Sequence, residues 1–465
     1  MKTLIYFAIA LLLLPAFSAC IDDDDFSSDK NLSLVFSTDT ISFDTIFTNV
    51  GSATQKFKIY NRNDKSLRIE SIELLHATET GFRMNIDGEK GTKLTDVEIL
   101  KKDSLYGFVE VTVDPQKSPL LVRDSIRFVV NGNTQYIQLA AIGKDVYIWR
   151  DKVIEENTVV IGDKPFLVYG TLTINENAIL TIEKGTTFYM YNNASVDVHG
   201  TVKAQGSVEA PVVFRGSRFD YIERDIPYDN VSGQWTGMIF RGESYNNVFE
   251  NLTVRNATRA VTFEEADPQY KKATLKNVTV QNSSEYGLQA VNCNIDVQNG
   301  LFNNAKGAVL ALYGGEYSFL HCTVANYYNW AARESSGLIL GNYSDKGVAY
   351  PLNKCDFVNS IVYGSVTREI QLNQGGTIPF EFIFRNCLLK APEVTDGSLV
   401  NIIWNADPLF KNLDTENIHS YNFELTQNSP ARDKADKSYS SLVPEDIKGV
   451  SRMDNPDLGC YEWVK

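Results

Sequence analysis

The chain has 465 residues, of which 43% are hydrophobic and 22% charged, with 30 Gly, 14 Pro and 6 Cys; this excludes a disordered chain, a collagen-like chain and a small disulfide scaffold. That length exceeds one ordinary domain, so two units are expected. The 44 basic and 58 acidic residues leave a net charge of −14, and an acidic chain lacks the basic face that nucleic acid requires.

Met1-Lys2 supplies a positive start, and Leu4 to Leu14 form an apolar run too short to span a bilayer, which is the pattern of a signal peptide over 1–19. The segment closes on Ala16-Phe17-Ser18-Ala19-Cys20, and Asp22 to Asp25 follow as a block of like charge that stays extended and solvated. Small residues before Cys20 resemble a bacterial lipobox, with Phe17 where Leu is usual. The acidic block resembles the export tag on surface lipoproteins of Bacteroidota-type bacteria. The resemblance implies acylation of Cys20, an acidic tether over 20–30, and an outer-membrane lipoprotein exposed at the cell surface and held to the membrane by its lipid. Ala16-Phe17-Ser18 also fits ordinary secretory cleavage.

Between 31 and 145, apolar and polar residues alternate in runs such as Gln55-Lys56-Phe57-Lys58-Ile59-Tyr60 and Ser125-Ile126-Arg127-Phe128-Val129-Val130. Asn131-Gly132 marks a hairpin. About seven short strands here predict an immunoglobulin-like β-sandwich. The layout is similar to bacterial Ig-like modules, which act as spacers or binding platforms.

From 146 to 420 the sequence repeats. Asn-Leu-Thr-Val-Arg-Asn at 251–256 returns at 277–282, 299–304, 321–326 and 354–359, and in degraded form at 386–391; successive starts lie 26, 22, 22, 33 and 32 residues apart. Short β-runs with Asn-rich turns at this spacing predict a parallel β-helix of roughly ten rungs, in which like residues stack at about 4.8 Å. The fourth positions (Val254, Val280, Phe302, Val324, Phe357, Leu389) are expected to form one apolar column, and Cys322, Cys355 and Cys387 to share another. Asn256, Asn282, Asn304, Asn326 and Asn359 are expected at one corner, and Asn251, Asn277, Asn299 and His321 at a second. The five cysteines after Cys20 are an odd number with no CxxC pair, and the four histidines are scattered, so neither a disulfide framework nor a metal site is expected.

This region resembles a right-handed parallel β-helix family of Bacteroidota lipoproteins. The matching pieces are Gly233-Gln234-Trp235, His321-Cys322-Thr323-Val324-Ala325-Asn326-Tyr327, Asp407-Pro408-Leu409-Phe410, Asn428-Ser429-Pro430-Ala431-Arg432-Asp433 and Asp457-Leu458-Gly459-Cys460. The resemblance implies an all-β chain with a right-handed solenoid, but no assigned activity. By analogy with pectate-lyase-like and alginate-lyase-like members of the wider fold, it also implies a glycan ligand. The tail, 421–465, is expected to cap the open end of the coil.

Two irregular segments concentrate the chemistry suited to sugar rings. The first, 217–235, offers Arg218, Asp220, Tyr221, Arg224, Asp225, Tyr228 and Trp235. The second offers Tyr327, Tyr328, Trp330, Arg333 and Glu334, with His321 in the preceding phrase. No catalytic set can be chosen among 58 acids. The leading expectation is a non-enzymatic surface protein that binds a polysaccharide or a surface protein without a cofactor. Alternatives are an extracellular polysaccharide lyase or hydrolase, with Ca²⁺ entering only for a lyase, and a purely structural envelope protein.

Overall fold

The computed structural model describes residues 25–117, 120–223, 226–333, 335–344, 346–414 and 416–465. Cys20, the segment 1–19, Arg224, Asp225 and Glu334 lie outside them. Strands make up 51% of the chain and helices 3%, so a helical solenoid is excluded. The chain divides into two compact units, the second beginning at Val146.

The first unit is built from two five-stranded sheets. One runs in the order Val35–Phe36, Gln55–Tyr60, Ser104–Val111, Phe82–Ile86, Glu89–Gly91; the other in the order Thr40–Phe47, Asn133–Lys144, Leu121–Val130, Leu67–Leu74, Lys93–Ile99. Alternation buries one face of each strand. Phe57, Ile59 and Val109 from the first sheet and Ile72, Ile126 and Phe128 from the second belong to a single core. Pairing is antiparallel except between Thr40–Phe47 and Asn133–Lys144. Asn131 and Gly132 both take positive φ, as a two-residue hairpin demands. The expected tether is already docked at Phe26, which bridges to Ser66.

The second unit is a parallel β-solenoid: a 26-stranded sheet in which most strands hydrogen-bond to the strand one coil later. Phe166–Tyr169, Thr171–Ile174 and Ile179–Glu183 form one coil, and they pair with Thr187–Met190, Ser195–Val198 and Thr201–Gln205 of the next. Like side chains therefore stack. The inward column of one face runs Phe166, Phe188, Phe214, Val254, Val280, Phe302, Val324, Val362, Leu389, and every member is buried. Phe188 and Phe214 lie 4.4 Å apart with rings inclined by 8°, the spacing of adjacent rungs.

The repeated phrase misplaces one rung. Phe357 does not join this column: its strand pairs with Leu310–Leu320, so Phe357 stacks between Phe319 at 4.5 Å and Phe384 at 5.0 Å on a neighbouring face. Val362 fills the position assigned to it. Cys355 accordingly pairs with Tyr317, and Ser360 stands beside Cys322, whose backbone N–H donates to its Oγ at 3.0 Å. Asn359 moves to the corner shared by Asn251, Asn277, Asn299 and His321. Both faces are built on the same alternation of inward and outward residues, so the phrase at 354–359 can be placed on either.

The corners explain the asparagines. Asn251, Asn277, Asn299, His321, Asn359, Asn386 and Asn401 all adopt φ between 49° and 54°, the left-handed bend that Asn tolerates best after Gly. Their side chains also stack: Asn277 Nδ2 donates to Asn251 Oδ1 at 3.1 Å, and Asn299 Nδ2 to Asn277 Oδ1 at 2.9 Å.

The tail packs along one flank of the coil. Outward positions Leu301, Ala325, Ile361, Tyr363 and Leu388 form an apolar flank, and Phe410, Phe423, Leu425, Leu458 and Cys460 pack upon it. Burial of that flank favours this path of the tail. Gly459 N donates to Asn359 O at 2.8 Å, Cys460 N donates to Thr323 Oγ1 at 3.1 Å, and the buried Arg452 donates to Asn299 Oδ1 at 3.1 Å.

Candidate functional site

Where the tail lifts off the flank, it leaves a groove of about 770 Å³. Its floor consists of outward positions on the strands Leu252–Arg255, Thr279–Ser283 and Leu301–Ala305. Register stacks Thr253, Thr279 and Leu301 in one column and Arg255, Gln281 and Asn303 in the next. One wall is the turn carrying Asp229 and Asn230. The other is the strand Tyr421–Leu425 with Lys448 and Tyr461.

Each wall is tied down. Asn256 Nδ2 donates to Asp229 O at 2.7 Å, and Gln234 Nε2 to Tyr228 O at 2.7 Å. Tyr421 Oη donates to Tyr327 O at 2.9 Å, which fixes its ring at the groove edge. The charges are paired internally. Asp229 lies 2.9 Å from the Arg215 guanidinium and 3.2 Å from that of Arg255. Glu424 is held by Lys411 at 2.7 Å and by Lys448. Burial tends to raise the Glu424 carboxyl, but these two ammoniums bring it below the ordinary range. Burial lowers the Arg255 guanidinium, opposed by Asp229, and lowers the His419 imidazole from its ordinary range, opposed by Asp414. Asn303 is only 3% exposed, and its Nδ2 has no hydrogen-bond partner.

The two irregular segments singled out from sequence do meet. Trp330 Nε1 donates to Asn230 O at 3.2 Å, Tyr328 Oη lies 3.1 Å from Ser232 Oγ, and the Trp330 ring stacks on His419 at 3.5 Å. None of the described candidate residues lines the groove. Trp235 is core, its Nε1 donating to Arg255 O at 2.8 Å. Arg218 lies over the Tyr228 ring at 3.4 Å and pairs with Asp220, while Tyr221 is exposed nearby. Tyr327 packs against Phe410 and Phe423, and burial raises its phenol. Arg333 and Glu369 form a buried ion pair at 2.8 Å. His321 is fully buried, with Nε2 2.9 Å from Ser440 Oγ and 3.1 Å from Asn359 Nδ2; burial keeps it neutral.

The floor residues Arg255, Gln281 and Asn303 escaped the sequence reading, although they are the fifth positions of three consecutive phrases. Period-two alternation about the buried fourth position was the signal that they face outward. Among the described residues, no three His, Cys, Asp or Glu side chains converge as metal ligands. Other depressions are a shallow one of about 570 Å³ beside Glu243, Glu265 and Asp267, and one of about 480 Å³ beside Met84 and Phe108 in the first unit.

No family model and no curated protein matches the chain. Solved structures with partial overlap include a family 123 glycoside hydrolase from Clostridium perfringens, whose description concerns glycolipid glycan hydrolysis. That overlap has 6% identity and a TM-score of 0.19, and it spans 25% of this chain and 30% of that one. A superposition so loose assigns neither fold nor activity.

Proposed function

We propose that this is a lipid-anchored surface protein of the Bacteroidota type, whose solenoid binds a glycan in the flank groove. The observation that carries the reading is the stacked polar floor of Arg255, Gln281 and Asn303, in a groove also lined by Tyr461 and by Tyr421, whose hydroxyl is tied to Tyr327 O. Sugars are recognised by such a combination, in which amides and hydroxyls meet ring hydroxyls and an aromatic edge shields the ring face. The signal-like run over 1–19, Cys20 and the acidic block after it support the anchor. A right-handed winding is the expected hand for parallel crossovers. Two sheets around one core, closed by an Asn-Gly hairpin, support an Ig-like reading of the first unit as a spacer.

Binding is preferred to catalysis because the carboxylates of the groove, Asp229 and Glu424, are each already held by two cations. A general acid or base must instead be free to exchange its proton. A glycan array probed with the purified full chain tests the reading, with unsaturated or reducing ends assayed on the same sugars. Retention of glycans without product is expected; turnover would replace the proposal with a lyase or hydrolase, and silence on every glycan would remove it. Fatty-acid labelling that disappears in Cys20→Ser tests the anchor.

A further inference from the structure

We infer that the groove takes an uncharged, linear oligosaccharide lying along the solenoid axis, with about three sugar units over three rungs at about 4.8 Å per rung. This rests on the glycan reading above and specifies its ligand.

The length follows from where the floor is open. At one end Asp229 is clamped onto Arg255, whose Nη2 donates to Asp229 O at 2.9 Å. At the other, the rung after Asn303 carries Ala325, buried beneath the tail, and Cys460 N occupies Thr323 Oγ1 at 3.1 Å. Between these stops the floor presents Arg255, Gln281 and Asn303, one per rung. An extended sugar chain has a repeat close to the rung spacing, so successive units can meet successive floor residues in register.

The charge class follows from the pairing. Arg255 and Lys448 would be the natural partners of a uronate or sulfate, yet each already faces a protein carboxylate. An incoming anion would have to displace Asp229 or Glu424 and then lie beside it, and like-charge juxtaposition in a partly buried site is unfavourable. What remains unmatched is a neutral donor. Asn303 Nδ2 is buried without a partner, and a desolvated amide in that state recovers its hydrogen bond when a ligand hydroxyl arrives. Arg255 Nε is likewise buried and unpartnered, and this N–H can donate to a ligand hydroxyl while Nη2 stays on Asp229.

The test is calorimetric titration of the full chain with cello-, xylo-, manno- and malto-oligosaccharides of increasing length, alongside oligogalacturonates of matching length, at low and high salt. A neutral series should bind, gain affinity up to about three units and then level off. That binding should change by less than about twofold with salt, because an uncharged ligand makes no charge–charge contact to be screened. Asn303→Ala should weaken it by about tenfold or more, the equivalent of about 1.4 kcal/mol. Gln281→Ala, at a half-buried surface position, gives the same readout without disturbing the core. Oligogalacturonate binding that fades with salt would overturn the uncharged-ligand inference while sparing the glycan reading. A plateau at a clearly different length would overturn the axial placement, and failure of both series would remove both proposals.

Discussion

Arg333→Ala separates a structural role for the second irregular segment from a ligand-contacting one. The Arg333 and Glu369 side chains are 3% and 0% exposed. Glu369 Oε2 accepts from Arg333 Nη2 at 2.8 Å and from Gly337 N at 2.8 Å; Oε1 accepts from Val366 N at 3.0 Å and Arg333 Nη1 at 3.2 Å. Removing the guanidinium leaves a fully buried carboxylate on two backbone donors, a loss that costs about 3–5 kcal/mol. All five tryptophans (Trp149, Trp235, Trp330, Trp404, Trp463) lie in the solenoid unit, so their fluorescence reports its unfolding without a contribution from the first unit. With a urea dependence somewhat above the small-protein range, the midpoint should fall by about 1 M. Arg333→Lys, which keeps the charge but loses the two-pronged geometry, should fall in between. Arg218→Ala breaks an exposed pair with Asp220 and a contact over the Tyr228 ring, and should move stability by about 1 kcal/mol or less. A midpoint for Arg333→Ala within error of the parent would refute the argument, since it would mean that water reaches Glu369 freely.

Gly459 has φ 89°, and a Cβ there would lie 2.6 Å from Thr323 Oγ1 and 2.9 Å from Ile361 Cδ1. Gly459→Ala should therefore cost about 2–4 kcal/mol in thermal unfolding, against about 1–2 kcal/mol for Gly449→Ala, which has positive φ but open space. Burial pushes the Glu462 carboxyl up to about 8 despite Arg452 beside it, with Asp457 also raising it. An unfolded Glu titrates near ~4.3, so the folded state holds a proton that the unfolded state has lost; this stabilisation is present below that value and is lost as pH rises towards about 8. Urea midpoints of the parent relative to Glu462→Gln should accordingly decline from acidic to mildly alkaline pH, and a flat difference would contradict the buried carboxyl. Cys293, Cys322, Cys355, Cys387 and Cys460 are all buried, and burial raises every thiol, so peptide mapping after iodoacetamide should find them unmodified in the native chain and alkylated in denaturant.

Much of the coil was legible because alternation and stacking are local rules applied repeatedly. Val254, Val280 and Val324 could be assigned to a buried column from their spacing alone, and His321 to a corner because it stands where Asn stands elsewhere. The phase was lost at Phe357, where insertions after Asn326 and Gly341 moved the phrase to another face without altering its pattern. The groove was harder to read. Its walls join residues far apart in sequence: Trp330 reaches Asn230 across 100 positions, and His419 reaches Asn329 across 90. Clusters of aromatic and charged residues drew attention to the supports, Arg218, Tyr327, Trp330 and Arg333, whereas the floor is made of ordinary-looking Arg, Gln and Asn. The flank position of the tail depended on Leu301, Ile361 and Leu388 facing outward, which follows only once the phase of each rung is known.

That position of the tail has a consequence for how the chain matures. Asn299 donates to Glu445 O across 146 residues, and Thr323 accepts from Cys460 across 137, so rungs synthesised early wait for a segment that leaves the ribosome much later. Until then Leu301, Ile361 and Leu388 face solvent and the nascent coil has a sticky side. Vectorial growth can propagate rung upon rung, but maturation ends with a single late docking step, and a chain stalled before residue 421 would be a natural client for chaperones or proteases.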